Sequence, residues 1–207
     1  MNIIYLHGFK SNAHSIKGTL LQHYCAKYSG VQVHLPDLNM SPLAAIQQLS
    51  ERIQSMQDVA LVGSSLGGFY ATYLVAQHAV PAVLINPAMR PWQLFRELFD
   101  EQLPLQVHPN WCLDDADLLQ LQQLALPVAQ DADKMLVLLQ QGDEVLDYRE
   151  AHRYYSAARP PAMLMTEANG SHGMDDFAEK IPLLLQFLLD CIKKETEYRV
   201  SIYGSIS

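Results

Sequence analysis

The stretch Val59-Ala60-Leu61-Val62-Gly63-Ser64-Ser65-Leu66-Gly67-Gly68 decides how the chain folds. Val59 to Val62 is a continuous apolar run, the composition of a central strand buried on both faces. It ends in G-x-S-x-G, Gly63 to Gly67, and Phe69 to His78 then continues as a helix. Turning a strand into a helix within five residues forces the middle residue into a strained backbone conformation, and only small residues two before and two after it leave room. Glycine stands at both places. The turn lifts the Ser65 hydroxyl to the carboxyl end of a sheet and aims the next amide, that of Leu66, at the same spot. Ser64 lacks this flanking glycine symmetry. No G-K-[ST] follows, so the glycines do not read as a phosphate loop.

Outward from this stretch, short β-type runs alternate with segments of helical period, the pattern of a parallel sheet covered by helices on both faces. Upstream, Asn2 to Leu6 reads as a strand, Ile16, Leu20, Leu21, Tyr24 and Cys25 recur at helical spacing, and Val31 to Leu35 is a second strand. Ser41-Pro42 reads as an N-cap with proline in the first helical position, and Leu43, Ile46, Leu49 and Ile53 supply that helix's buried stripe. Downstream, Ala82 to Asn86, Met135 to Leu139 and Ala162 to Met165 complete the strands, with a helix near Tyr148 to Ser156. The last helix carries Ile181, Leu184, Leu185 and Leu188 on one face, which places Pro182 in its first turn. Beyond Lys194 the polar tail is expected to be loose. Residues 89–129 carry no strand pattern. They hold both tryptophans and an amphipathic stripe of Trp92, Phe95, Leu98 and Phe99, and are expected to form a small helical, lid-like insertion. The reading is an α/β chain of about six mostly parallel strands flanked by helices, one domain over residues 1–207 with 89–129 inserted within it.

Composition narrows the function. With 207 residues, 49% of them hydrophobic and 17% charged, the chain can bury a sizeable core and is neither disordered nor fibrous. A net charge of −8 without any basic run argues against nucleic acid or an anionic membrane as partner. No apolar stretch approaches the roughly 18 residues of a membrane span. Asn2 to Leu6 shows no basic n-region, h-region or cleavage site, so the expected location is the cytoplasm. Cys25, Cys112 and Cys191 are odd in number and lack CxxC spacing, which suits reduced buried thiols and gives no metal site. No cofactor motif is present.

A serine hydroxyl at its free pKa attacks poorly, so Ser65 as a nucleophile requires a histidine base and a carboxylate to hold that base's tautomer. In a parallel sheet these sit after later strands. Asp143 follows the fifth strand and His172 the sixth. Of the eight histidines only His172 lies in a glycine-flanked loop just after a late strand; His14, His23, His34, His78 and His152 occupy helix, strand or surface positions, and His108 lies in the insertion. Glu144 and Asp147 crowd the same loop as Asp143, but Asp143 comes first after Gly142, and Asp147 stands where it would cap the next helix. Acyl transfer puts negative charge on a carbonyl oxygen, and the amides of Phe9 and Leu66 are placed to stabilise it. His7 either braces that loop or is simply buried. Trp92, Phe95 and Phe99 are candidates for lining an acyl pocket, or for plain core. Arg90 and Arg96 read as solvated cations, with a ligand carboxylate or phosphate as the alternative.

Taken together, Ile4-Tyr5-Leu6-His7-Gly8-Phe9, Gly63 to Gly68, Ile85-Asn86-Pro87-Ala88, Gly142 to Tyr148 and Gly170-Ser171-His172 resemble the α/β-hydrolases over nearly the whole chain, with the chain order Ser, Asp, His of that superfamily. Within it they are similar to the YqiA/YcfP-like small bacterial esterases. The resemblance implies a serine esterase acting on small-molecule acyl esters, with acyl thioesters as a further class, through Ser65, His172 and Asp143. The two N-terminal antiparallel strands of larger members have no sequence to form them. A binding module that keeps such a pocket without turnover, and an amide or carbon–carbon bond hydrolase, are the alternative readings.

Overall fold

The computed structural model describes the backbone of residues 1–203 and the side chains of residues 1–194. Six strands, β1 (Asn2–Leu6), β2 (Gln32–His34), β3 (Val59–Ser64), β4 (Ala82–Ile85), β7 (Met135–Gln140) and β8 (Met163–Glu167), form one sheet in the order β2-β1-β3-β4-β7-β8. Every neighbouring pair runs parallel, with Leu6 opposite Gly63 and Ser64 opposite Ile85. Alternation along the strands divides the core in two: Val59, Leu61, Leu84 and Val137 face one side, Ala60, Val62, Val83 and Leu136 the other.

Right-handed crossovers decide which helix covers which face. The path from β1 to β2 runs toward one edge and the path from β2 to β3 returns, so α1 (Ile16–Cys25) and α2 (Pro42–Gln54) lie on opposite faces. The helix α3 (Leu66–His78) and α6 (Tyr148–Ala157) share the face of α2, and α7 (Phe177–Tyr203) joins α1. Sheet growth reverses direction between β1 and β3. Parallel α/β sheets bind ligands outside the carboxyl ends of the strands at such a switch point. His7 and Ser65, the first residues past β1 and β3, stand there.

Residues 89–129 differ from the helical insertion read in the sequence. Besides α4 (Pro91–Phe99) and α5 (Asp115–Leu124), they contain an antiparallel hairpin, β5 (Leu105–His108) with β6 (Trp111–Leu113). Strands this short carry too little alternation to register as a period. Other details shift as well. Leu43 and Leu98 are exposed members of their stripes, as is Ile16 at the start of α1. Pro182 falls in the second turn of α7, where it denies the Ala178 carbonyl its helical N–H. The backbone of α7 continues past Lys194 to Tyr203, so the expected loose tail is helical that far; residues 204–207 lie outside the described residues. Cys25 is buried, while Cys112 and Cys191 are only partly so. Among the described residues no helix is long and apolar enough to cross a membrane.

Candidate active site

Ser65 stands between β3 and α3 with φ 55° and ψ −118°, a sparsely populated conformation for a residue with a side chain. The glycines around it answer to close approach. A Cβ on Gly63 would lie 2.3 Å from the Gly67 carbonyl oxygen, and one on Gly67 would lie 2.0 Å from that of Leu6. The strained turn is held by its backbone: the Ser65 N–H donates to the Ile85 carbonyl (3.0 Å), and the Ser65 carbonyl accepts from Gly68 (2.9 Å), Phe69 (3.2 Å) and Ala88 (3.1 Å).

From this turn a line of hydrogen bonds runs to the loops after β7 and β8. Ser65 Oγ lies 3.1 Å from His172 Nε2, and His172 Nδ1 lies 2.8 Å from Asp143 Oδ2. The Asp143 side chain is 2% exposed and that of His172 22%. The second oxygen of Asp143 accepts the Val145 and Leu146 N–H groups, each at 2.8 Å, which fixes the carboxylate. Asp147 caps α6, accepting the Arg149 N–H at 3.0 Å. With Asp143 on Nδ1, the imidazole carries its proton there and presents Nε2 as an acceptor to the serine hydroxyl.

Three side chains to which the sequence reading gave no role hold the histidine loop. Gln140 Oε1 accepts the Ser171 N–H (2.8 Å) and Glu144 Oε2 accepts the His172 N–H (2.9 Å). Asn86 Nδ2 donates to the Ser171 carbonyl (3.1 Å) and to that of His172 (3.3 Å). Every backbone polar group of the Ser171-His172 pair is therefore engaged by a side chain. Asn86 and Gln140 are buried and joined, the Gln140 N–H donating to Asn86 Oδ1 at 3.0 Å. Their signal was in the sequence: a polar residue ends each of two otherwise apolar strands.

The loop after β1 closes the other side. A Cβ on Gly8 would stand 3.8 Å from Ser65 Oγ, so the backbone before Phe9 passes beside the hydroxyl. His7 is both buried and bracing. Its Nε2 accepts the Leu38 N–H (2.9 Å), which leaves the proton on Nδ1 to donate to the Gly8 carbonyl (2.9 Å). With Nε2 unprotonated, Asp37 Oδ1, 3.5 Å away, receives no hydrogen bond from it and accepts from Asn39 instead.

Of the three aromatic candidates, Trp92 alone lines the large cavity beside α3. Phe95 and Phe99 pack around Phe9, with ring centroids 4.3 and 5.8 Å away, and Trp111 meets the same ring edge-on at 6.2 Å. Arg90 pairs with Glu150, and Arg96 with Asp100 and Asp115. His108 sits at the hairpin end, its Nδ1 accepting the Asn110 N–H at 3.4 Å. Among the described residues no group of three or more His, Cys, Asp or Glu could hold a metal ion.

Comparison with solved structures gives the same architecture. Est1E from Butyrivibrio proteoclasticus superposes with a TM-score of 0.70 at 16% identity, over 93% of this chain and 88% of that one. A hydrolase of unproven activity from Agrobacterium vitis S4 gives 0.65 at 15% identity (90% and 87%), and α/β-hydrolase domain-containing protein 10 from mouse 0.61 at 17% (93% and 90%). At these identities the likeness is one of fold, and the fold is that of the α/β-hydrolases. Residues 2–189 match the model of an uncharacterised protein family, UPF0227. The chain thus belongs to UPF0227, built on the α/β-hydrolase fold.

Proposed function

We propose that the protein is a serine esterase that hydrolyses small-molecule acyl esters. The observation that carries this reading is the unbroken line Ser65 Oγ, His172 Nε2, His172 Nδ1, Asp143 Oδ2, with separations of 3.1 and 2.8 Å. Both lie within the hydrogen-bond reach that proton transfer requires. Ser65 Oγ attacks the ester carbonyl as His172 Nε2 takes its proton, and the tetrahedral intermediate forms. The Phe9 and Leu66 amides receive the oxyanion, each such donor being worth roughly 3 to 4 kcal/mol. The carbon–oxygen bond to the alcohol then breaks, His172 returns the proton to the departing oxygen, and an acyl-enzyme remains. Water, deprotonated by the same histidine, releases the acid and restores Ser65. Asp143 keeps the imidazole in the productive tautomer and stabilises its charged form. Neighbours of this fold support the choice of substrate: ferulic acid is bound to Est1E in one structure, and another is a pyrethroid hydrolase from Sphingobium faniae JZ-2.

Labelling with a fluorophosphonate probe tests the reading. The parent protein is expected to label, and Ser65→Ala and His172→Ala to lose the label. Retained labelling in Ser65→Ala moves the nucleophile elsewhere. A parent protein that neither labels nor gives an acyl-enzyme burst with nitrophenyl esters is a binding module.

A further inference from the structure

Between α3 and α6 lies a cavity of about 590 Å³, roofed by residues 88–92 and walled by residues 124–128. That volume is in the range of small-molecule sites. Phe69, Thr72 and Tyr73 form its α3 side and follow Ser65 by four, seven and eight residues. At a rise of 1.5 Å per residue, the α3 wall of the cavity runs from about 6 to about 12 Å beyond Ser65 along the helix, and the lining itself includes neither Ser65 nor His172. Its roof is tied to the serine, since lining residue Ala88 donates its N–H to the Ser65 carbonyl at 3.1 Å.

The chemistry of the walls is one-sided. Phe69, Tyr73, Trp92, Tyr154 and Tyr155 supply rings. The inner polar groups already have partners within the protein: Thr72 Oγ1 bonds the Tyr155 hydroxyl at 2.6 Å and the Gly68 carbonyl at 2.9 Å, and the Tyr154 hydroxyl donates to the Leu126 carbonyl at 3.0 Å. Arg90 and Glu150 neutralise one another at the wall. Among the described residues no buried side-chain nitrogen or oxygen lacks a partner. Apart from the Tyr73 hydroxyl and the Arg153 guanidinium, which also line it, the cavity offers a polar acyl group little to replace lost water, while an apolar one gains with every methylene buried.

We propose that this cavity receives the acyl group of the ester and selects extended or ring-bearing apolar acyl groups over acetyl. The proposal rests on the serine-esterase reading. The assignment to the acyl side follows from the departure of the alcohol: it takes its proton at His172 Nε2, on a side chain that is 22% exposed, and leaves. The acyl group stays bonded to Ser65 and must be housed while water arrives.

The test compares nitrophenyl acetate, octanoate and 3-phenylpropanoate on the parent protein, on Ala125→Trp, which fills the cavity from its half-buried wall, and on Tyr73→Ala, which enlarges it. The parent is expected to favour octanoate and phenylpropanoate over acetate in kcat/KM. In Ala125→Trp the octanoate-to-acetate ratio is expected to fall about tenfold, the equivalent of about two methylenes left unburied. In Tyr73→Ala the preference is expected to move toward bulkier acyl groups. Ratios that stay put in both variants, or a parent that favours acetate, overturn the proposal. Fluorophosphonate labelling of Ser65 run alongside separates the failures: an intact label with unmoved ratios removes the pocket assignment alone, whereas a parent without the label removes the esterase reading with it.

Discussion

The carboxylate of Glu144 accepts the backbone N–H of His172 at 2.9 Å, while its chain neighbour Asp143 holds the ring of the same histidine at 2.8 Å. One dipeptide thus grips both the main chain and the side chain of the proposed base. The His172 N–H holds the Glu144 carboxyl below its ordinary pKa. Glu144→Ala is expected to lower kcat about tenfold, within the hundredfold that a 1 Å misplacement can cost. Glu144→Gln, which keeps an acceptor oxygen, is expected to recover most of it. Equal damage by both substitutions would rule out the backbone grip.

Asp143 and Asp147 make opposite forecasts. Asp143→Asn leaves the wrong tautomer on His172 and is expected to reduce kcat by up to about ten-thousandfold. Asp147→Asn replaces one good capping residue by another and is expected to change neither kcat nor stability by more than a few tenths of a kcal/mol. Steady-state kinetics on the pair decides, and the reverse ranking transfers the role to Asp147.

Gly67→Ala puts a Cβ 2.0 Å from the Leu6 carbonyl oxygen, backbone against backbone, so β1 and the serine turn must separate. A loss above about 4 kcal/mol is expected, visible as failure to accumulate folded protein or as a collapsed urea midpoint. A near-native midpoint would contradict the close approach.

Asp117 is buried in α5 and accepts the Trp111 indole N–H at 2.9 Å. Burial raises its carboxyl pKa, the Trp111 bond opposes this, and Asp114 adds to the rise. A carboxyl whose native pKa lies above its unfolded value of about 3.9 favours folding when protonated, so stability declines as pH climbs from there through the raised value and stays lower beyond it. Asp117→Asn keeps an acceptor for Trp111 and removes the charge. Its Tm is expected to exceed the parent's at pH 7 by roughly 2 to 4 °C, the shift that about 1 kcal/mol gives a chain of this length, and to converge with it near pH 3. A lower Tm at pH 7 would contradict the sign.

What the sequence conveyed and what it withheld divide along physical lines. The ends of β1 and the start of β3 were legible because continuous burial leaves a run of apolar letters, and the serine turn because its geometry admits only glycine at Gly63 and Gly67. Asp143 and His172 were legible from their places after late strands. Asn86 and Gln140 showed only as polar residues ending apolar runs; what they hold was hidden, because their partners lie 31 to 86 positions away, a relation that composition and period do not encode. Leu43 and Leu98 were misplaced for a related reason: a helical stripe locates the inward face, but where the neighbouring element stops decides which of its members meet water. The hairpin of β5 and β6 was hidden by its brevity.

Phe9 belongs to two assemblies at once. Its backbone belongs to the loop beside Ser65, and its ring is the centre around which Phe95, Phe99 and Trp111 of the inserted segment gather. The seating of that segment and the position of the amide assigned to the oxyanion thus hang on one ring, so a change that loosens the first is felt by the second.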